Sequence, residues 1–141
     1  MKVLFLCKWN AGRSQMAEEL FNHYTTKHIG ISAGTHGITY QNKKLKEFAF
    51  FVVQVLQEKN IDVSEKIPIQ LTPELVQFAD KIIVMTERAD LPDYVANSDK
   101  TIFWKIEDAK GKDYEFHTNM REQIDKMVKV LIDEIGYKKY K

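Results

Sequence analysis

The apolar positions of this chain follow two rhythms, short continuous runs and stripes at helical spacing. Val3-Leu4-Phe5-Leu6, residues 81–85 and residues 101–104 are runs of the kind found in strands buried on both faces of a parallel sheet. Residues 29–33, ended by Gly34, read as one more short strand. Met16, Ala17, Leu20, Phe21 and Tyr24 share one face at helical spacing, so residues 14–28 read as an amphipathic helix. Leu45, Phe48, Ala49, Val52, Val55 and Leu56 mark a second helix. Phe116, Met120, Ile124, Met127, Leu131 and Ile135 sustain a long last one. Phe50, Phe51 and Val53 widen the second helix beyond one stripe. That predicts extensive burial there, with a partner surface as the alternative.

Between these elements the chain is punctuated rather than patterned. Residues 35–42 form a loop around Gly37, and residues 60–70 are irregular and broken by Pro68. Thr72 and Pro73 suit the cap and first position of a short helix. Residues 87–95 read as a short helix or turn containing Pro92. Strands alternating with helices predict an α/β fold: one domain over residues 1–141, built on a four-stranded parallel sheet with helices on both faces. Such sheets bind ligands beyond the carboxyl ends of their strands. Cys7 lies at such an end.

The stretch from Cys7 to Arg13 is then a tight loop between strand and helix. Ser14 suits the helix N-terminus, where its hydroxyl can accept an orphan backbone N–H. Backbone N–H groups and the positive end of a helix converge there, which makes an anion site after the first strand. A lone cysteine after an apolar strand reads by default as a small buried hydrophobe. Strand, loop, Cys, Arg-Ser and helix in register point instead to a reactive thiolate beneath a bound oxyanion. Arg13 suits that anion because its planar fork binds two oxygens at once. The chain holds three arginines against eighteen lysines, so an arginine at this one spacing has a chance of roughly one in fifty on composition alone.

Composition narrows the classes. The 141 residues suit one core, and a formal net charge of +1 gives no reason to expect nucleic acid or a membrane surface as partner. Lys43-Lys44 and Lys138-Lys139 read as solvated charge pairs. No segment has the apolar length of a membrane span or signal peptide. A single cysteine leaves no internal disulfide, which fits a reducing cytoplasm. His23, His28, His36 and His117 show no zinc spacing, so no metal and no cofactor is expected.

Residues 3–18 resemble the phosphate loop of the low-molecular-weight protein tyrosine phosphatases and of the arsenate reductases built on the same fold. Ser32-Ala33-Gly34-Thr35, Gln70-Leu71-Thr72, residues 79–86 and Glu107-Asp108 after an aromatic extend the resemblance in order over nearly the whole chain. It implies Cys7 as nucleophile, forming a phosphocysteine, with Ser14 steadying the thiolate. Lys8, Trp9, Asn10, Ala11, Gly12 and Arg13 would cradle the phosphate, with Asn10 shaping the loop through a left-handed backbone. The leaving group needs a proton. The resemblance points to Asp108 as its donor, with Glu107 as the second candidate. Departures are visible too: Ala109 replaces the usual proline, Gly12 stands where many members carry a second cysteine, and Trp9 replaces a small residue. Trp9 could stack on an aryl phosphate or narrow the mouth, and Tyr40 and Tyr114 are candidate pocket walls.

Three functions are compatible with these residues. The first is a metal-independent phosphoric monoester hydrolase of the tyrosine phosphatase type, acting on a phosphorylated protein or a small aryl phosphate. The second is an arsenate reductase, since Gln15 after Arg13-Ser14 resembles the reductases. Thioredoxin-coupled reductases relay electrons through two further cysteines near the third strand, and residues 84–90 contain none. That version would therefore need an external small thiol as reductant. The third is a non-catalytic phosphate-binding module.

Overall fold

Strand β1 (Lys2–Cys7) carries its apolar residues without interruption because both its faces are covered. It pairs in parallel with β2 (Ile29–Gly34) on one side and β3 (Lys81–Val84) on the other. Strand β4 (Thr101–Phe103) pairs in parallel with β3 and completes the order β2-β1-β3-β4. This computed structural model describes the backbone of residues 1–139 and the side chains of residues 1–136. The Lys138-Lys139 pair lies outside the described side chains.

Side chains alternate between the faces of a strand, so β1 feeds two cores. Val3, Phe5 and Cys7 face helices α1 (Arg13–Tyr24), α3 (Phe50–Gln57) and α6 (Tyr114–Lys139), among them Leu20, Phe21, Val55 and Ile124. Leu4 and Leu6 face α4 (Pro73–Phe78) and α5 (Asp93–Ala96) through Val76 and Val95. The expected four-stranded parallel sheet with helices on both faces is the observed architecture. Among the described residues no helix is long and apolar enough to cross a membrane.

Four local expectations need correction. Helix α1 spans Arg13–Tyr24, and Gly12, not Ser14, precedes it with no side-chain cap. The second helix is two: α2 (Leu45–Phe48) and α3 are separated at Ala49, whose φ of −114° and ψ of 57° break the ladder. Phe50 and Phe51 are 66% and 38% exposed, because that break turns them away from the sheet. Strand β4 is a sheet edge, leaving Ile102 and Phe103 half exposed. The Thr72 cap holds as expected, its Oγ1 accepting from the Leu75 N–H at 3.3 Å with Pro73 next.

Polar side chains fasten α6 over α1. Asp125, almost fully buried, accepts from the Tyr24 hydroxyl at 2.5 Å and pairs with Lys129 at 3.0 Å and Lys59 at 3.9 Å. Burial pushes its carboxyl up, but the bonds from Tyr24 and Lys129 and the charge of Lys59 outweigh that and hold it below its ordinary value. A depressed carboxylate stabilises the fold above its unfolded pKa and loses that contribution as pH falls through the folded one. The protein should therefore melt above Asp125→Asn at neutral pH, and the gap should close below about pH 4 in thermal denaturation. A gap that ignores pH would contradict this account.

The end of β2 supports the loop that follows β1. A Cβ on Gly34 would stand 2.7 Å from the Lys8 carbonyl oxygen and 2.8 Å from the Asn10 nitrogen. Gly34→Ala must displace that backbone, and urea unfolding should show a loss of about 1–3 kcal/mol, the usual cost of overpacking. Unchanged stability would mean the loop yields freely.

Candidate active site

The chain leaves β1 at Cys7, crosses five residues and enters α1 at Arg13. That short span closes because Asn10 adopts φ 55°, a left-handed conformation that asparagine tolerates. Its fully buried side chain fixes the turn. Nδ2 donates to Ser14 Oγ at 2.7 Å and Ser32 Oγ at 3.0 Å, while Oδ1 accepts from the Ile69 N–H at 2.8 Å. Gln15, also buried, donates at 3.2 Å to the Asn10 carbonyl oxygen, to Asn10 Oδ1 and to the Ile67 carbonyl. Ser32 in turn donates to Glu18, and Glu18 pairs with Lys66 at 2.7 Å. Burial pushes the Lys66 ammonium down, but Glu18 and Glu19 more than offset it and its pKa is raised.

Ser14 Oγ lies 3.0 Å from Cys7 Sγ. The serine that the sequence marks as a cap therefore faces the sulfur, held there by Asn10. Among the described residues the backbone N–H groups of residues 8–12 donate none of the turn and loop hydrogen bonds. Unpaired amides at a helix start suit an anion. Arg13 is 7% exposed and its Nη1 donates to the carbonyls of Met85 and, at 3.1 Å, Ile106. Those bonds carry the guanidinium from α1 to the ends of the strands.

A cavity of about 510 Å³ opens over this loop, lined by Cys7, Trp9, Ala11, Gly12 and Arg13. Lys8 and Asn10, expected in the cradle, do not line it; Asn10 braces it from inside and Lys8 lies over the Trp9 ring at 5.0 Å. One wall is aromatic: Trp9 meets Tyr40 edge to face at 5.9 Å, and Tyr40 stacks on Phe48 at 4.8 Å. Phe51 and His117 extend that wall. Tyr114 does not line the cavity; its hydroxyl turns to Glu58 and its ring meets Phe51. The aromatic cluster was visible in sequence as Phe48 on the helical stripe and Phe50 and Phe51 beside it, a surplus of apolar surface that read chiefly as burial.

The opposite wall is the loop after β4. Asp108 lines the cavity 3.8 Å from Arg13 Nη2. Glu107 does not; it is 68% exposed and pairs with Lys112 at 3.6 Å. Without the proline, the loop is held otherwise. The Lys110 N–H donates to Asp108 Oδ1 at 3.0 Å, the Lys112 N–H donates to the Ala109 carbonyl at 2.9 Å, and Gly111 takes the left-handed φ of 78°. The Ala109 methyl is buried in the core. A sulfur, a guanidinium and a carboxyl thus face one space, with a neutral hydroxyl on the sulfur.

Known proteins resemble this chain in sequence and in fold. A putative arsenate reductase of Halobacterium salinarum is 26% identical over 141 residues, covering 96% of this chain and 93% of its own. The low molecular weight protein tyrosine phosphatase of T. tengcongensis is 25% identical, with a TM-score of 0.81 over 95% of this chain and 99% of that one. The YwlE arginine phosphatase of Geobacillus stearothermophilus superposes with a TM-score of 0.83 at 22% identity, over 99% and 95% of the two chains. The description "low molecular weight phosphotyrosine protein phosphatase" belongs to the family whose sequence profile matches residues 2–141. Strand, phosphate loop and late carboxylate loop all lie within that match, and the chain belongs to that family.

Proposed function

We propose that the protein is a cysteine-dependent phosphatase of phosphoric monoesters, acting on phosphotyrosine in a protein or on a small aryl phosphate. The observation that carries this is the cleft itself: Cys7 beside Ser14 at its floor, Arg13 and Asp108 on one side and Trp9, Tyr40 and Phe48 on the other. Ring walls and a volume of about 510 Å³ suit an organic group attached to the phosphate. In this reading the Cys7 thiolate attacks phosphorus and the ester oxygen leaves as Asp108 gives it a proton. Arg13 and the loop amides stabilise the charge on the equatorial oxygens. Water then attacks the phosphocysteine, releasing phosphate and the thiolate, with Asp108 taking up the proton. Glu107 points elsewhere and has no part in this scheme.

A second reading is favoured by the names of curated relatives, arsenate reductases among them. Cys7 is the only cysteine, so reduction by this chain would draw both electrons from an external small thiol. Gln15, which prompted that comparison, has a structural occupation as a brace of Asn10. Arsenate-dependent oxidation of a small thiol is the assay that would favour reduction over hydrolysis.

Purified protein should hydrolyse para-nitrophenyl phosphate with reductant and without metal, and Cys7→Ser should abolish this. Turnover surviving in that variant would sink the proposal. Asp108→Asn should lower the rate on phenyl phosphate, whose phenolate needs a proton to leave, by about 10²–10⁴-fold. The same change should cost much less on para-nitrophenyl phosphate, whose anion leaves unaided. Equal losses on the two esters would remove the acid role from Asp108.

A further inference from the structure

The mouth of the cleft carries cations that no carboxylate of the chain pairs among the described residues. Lys110 reaches from the carboxylate loop across to the aromatic wall, its Nζ 4.4 Å from the Trp9 ring centre, 5.7 Å from that of Tyr40 and 3.4 Å from the Tyr40 hydroxyl. The Lys8 ammonium lies over the same indole at 5.0 Å. Among the described residues neither ammonium has a carboxylate within 4.0 Å. Lys112 nearby is paired with Glu107, and Asp108 lies with Arg13. Two lysine ammoniums thus rest on one indole beside the cleft, in a chain whose formal net charge is only +1.

The balance at the site follows. With Asp108 protonated as the acid and Cys7 as the thiolate of the proposed reaction, the site presents three cations, Arg13, Lys8 and Lys110, and one anion, which lies at the loop with Arg13 and leaves the two lysines to a further anion. An aryl phosphate brings at most two negative charges, and those face the loop amides and Arg13. An incoming ring also competes with Lys110 for the Trp9 face. Building on the phosphatase reading above, we infer that Lys110 and Lys8 form a second anion subsite. It takes a carboxylate flanking the phosphorylated ring, so the preferred substrate is phosphotyrosine in an acidic segment of a protein. The ring takes over the indole, and the displaced Lys110 ammonium pairs with the neighbouring Asp or Glu of the substrate.

Three phosphotyrosyl peptides test this, identical but for flanking Glu, Gln or Lys. The wild type should show kcat/KM about three- to tenfold higher for the Glu peptide than for the Gln peptide, the scale of one or two exposed ion pairs, with the Lys peptide lowest. That ratio should shrink at high ionic strength. In Lys110→Met, which keeps an unbranched apolar stem against Trp9, the Glu-to-Gln ratio should fall close to one. Equal kcat/KM for all three peptides, or a ratio that Lys110→Met leaves intact, would overturn the subsite while leaving the phosphatase standing. Preference for the Lys peptide would mean that the aromatic face takes a substrate cation in place of Lys110, and would equally overturn it. Absence of Cys7-dependent turnover with every peptide and with para-nitrophenyl phosphate would overturn both the subsite and the reading beneath it.

Discussion

The whole site hangs on the backbone at Asn10. Five residues must turn a strand into a helix while leaving amides free and a sulfur at the floor. One residue in the left-handed region makes that turn. Asparagine carries a modest penalty there, and its buried amide then joins α1 at Ser14, β2 at Ser32 and the chain at Ile69. Each of those groups, if left unpaired in the interior, would cost about 1–3 kcal/mol. Their sum exceeds the strain, so the loop is shaped before any ligand arrives. Catalysis by positioning and charge requires that state, because donors that must reorganise lose much of their benefit.

The sheet supplies the second half of that preorganisation. A strand covered on both faces has little freedom to shift, and Val3 to Leu6 are all fully buried. Cys7 is therefore delivered at a fixed height, in register with Gly34 and beside the carbonyl end of β3. The close approach of Gly34 to Lys8 and Asn10 leaves no room for a side chain, which is why a glycine ends β2. The carboxylate loop lacks the proline of its relatives, yet the turn from Asp108 to Lys112 and the buried Ala109 methyl do the same work by other bonds.

What the sequence made legible were features with a local signature. Buried strands show as unbroken apolar runs, and Thr72-Pro73 carries its cap in two adjacent residues. The resemblance carried the order of the loops. What escaped were features settled by tertiary contact. Ser14 reads from its composition as a cap, and only the resemblance set it on the sulfur; the buried Asn10 that holds its hydroxyl there, four residues back, is what escaped. Phe50 and Phe51 lie beside the helical stripe and read as extra burial, but a two-angle break at Ala49 redirects them to the cleft. Lys110 has no sequence signal at all, since its role depends on an indole a hundred residues away. Gln15 matters in sequence only through its resemblance to the reductases, and its bonds to Asn10 are visible only in the fold.

Arg13 shows why residue type at one position can govern a whole site. It is nearly buried, and one of its nitrogens already satisfies two backbone carbonyls, those of Met85 and Ile106. These bonds lock α1 to β3 and to the loop carrying Asp108. The guanidinium still presents Nη2 toward Asp108 and the cavity. A lysine has all its donors on one atom and cannot stand at both places. Either the carbonyls or the anion would lose their partner. The scarcity of arginine in this chain therefore has a geometric meaning at Arg13: a rigid fork holds the architecture with one arm and, in the proposed reaction, the reacting charge with the other.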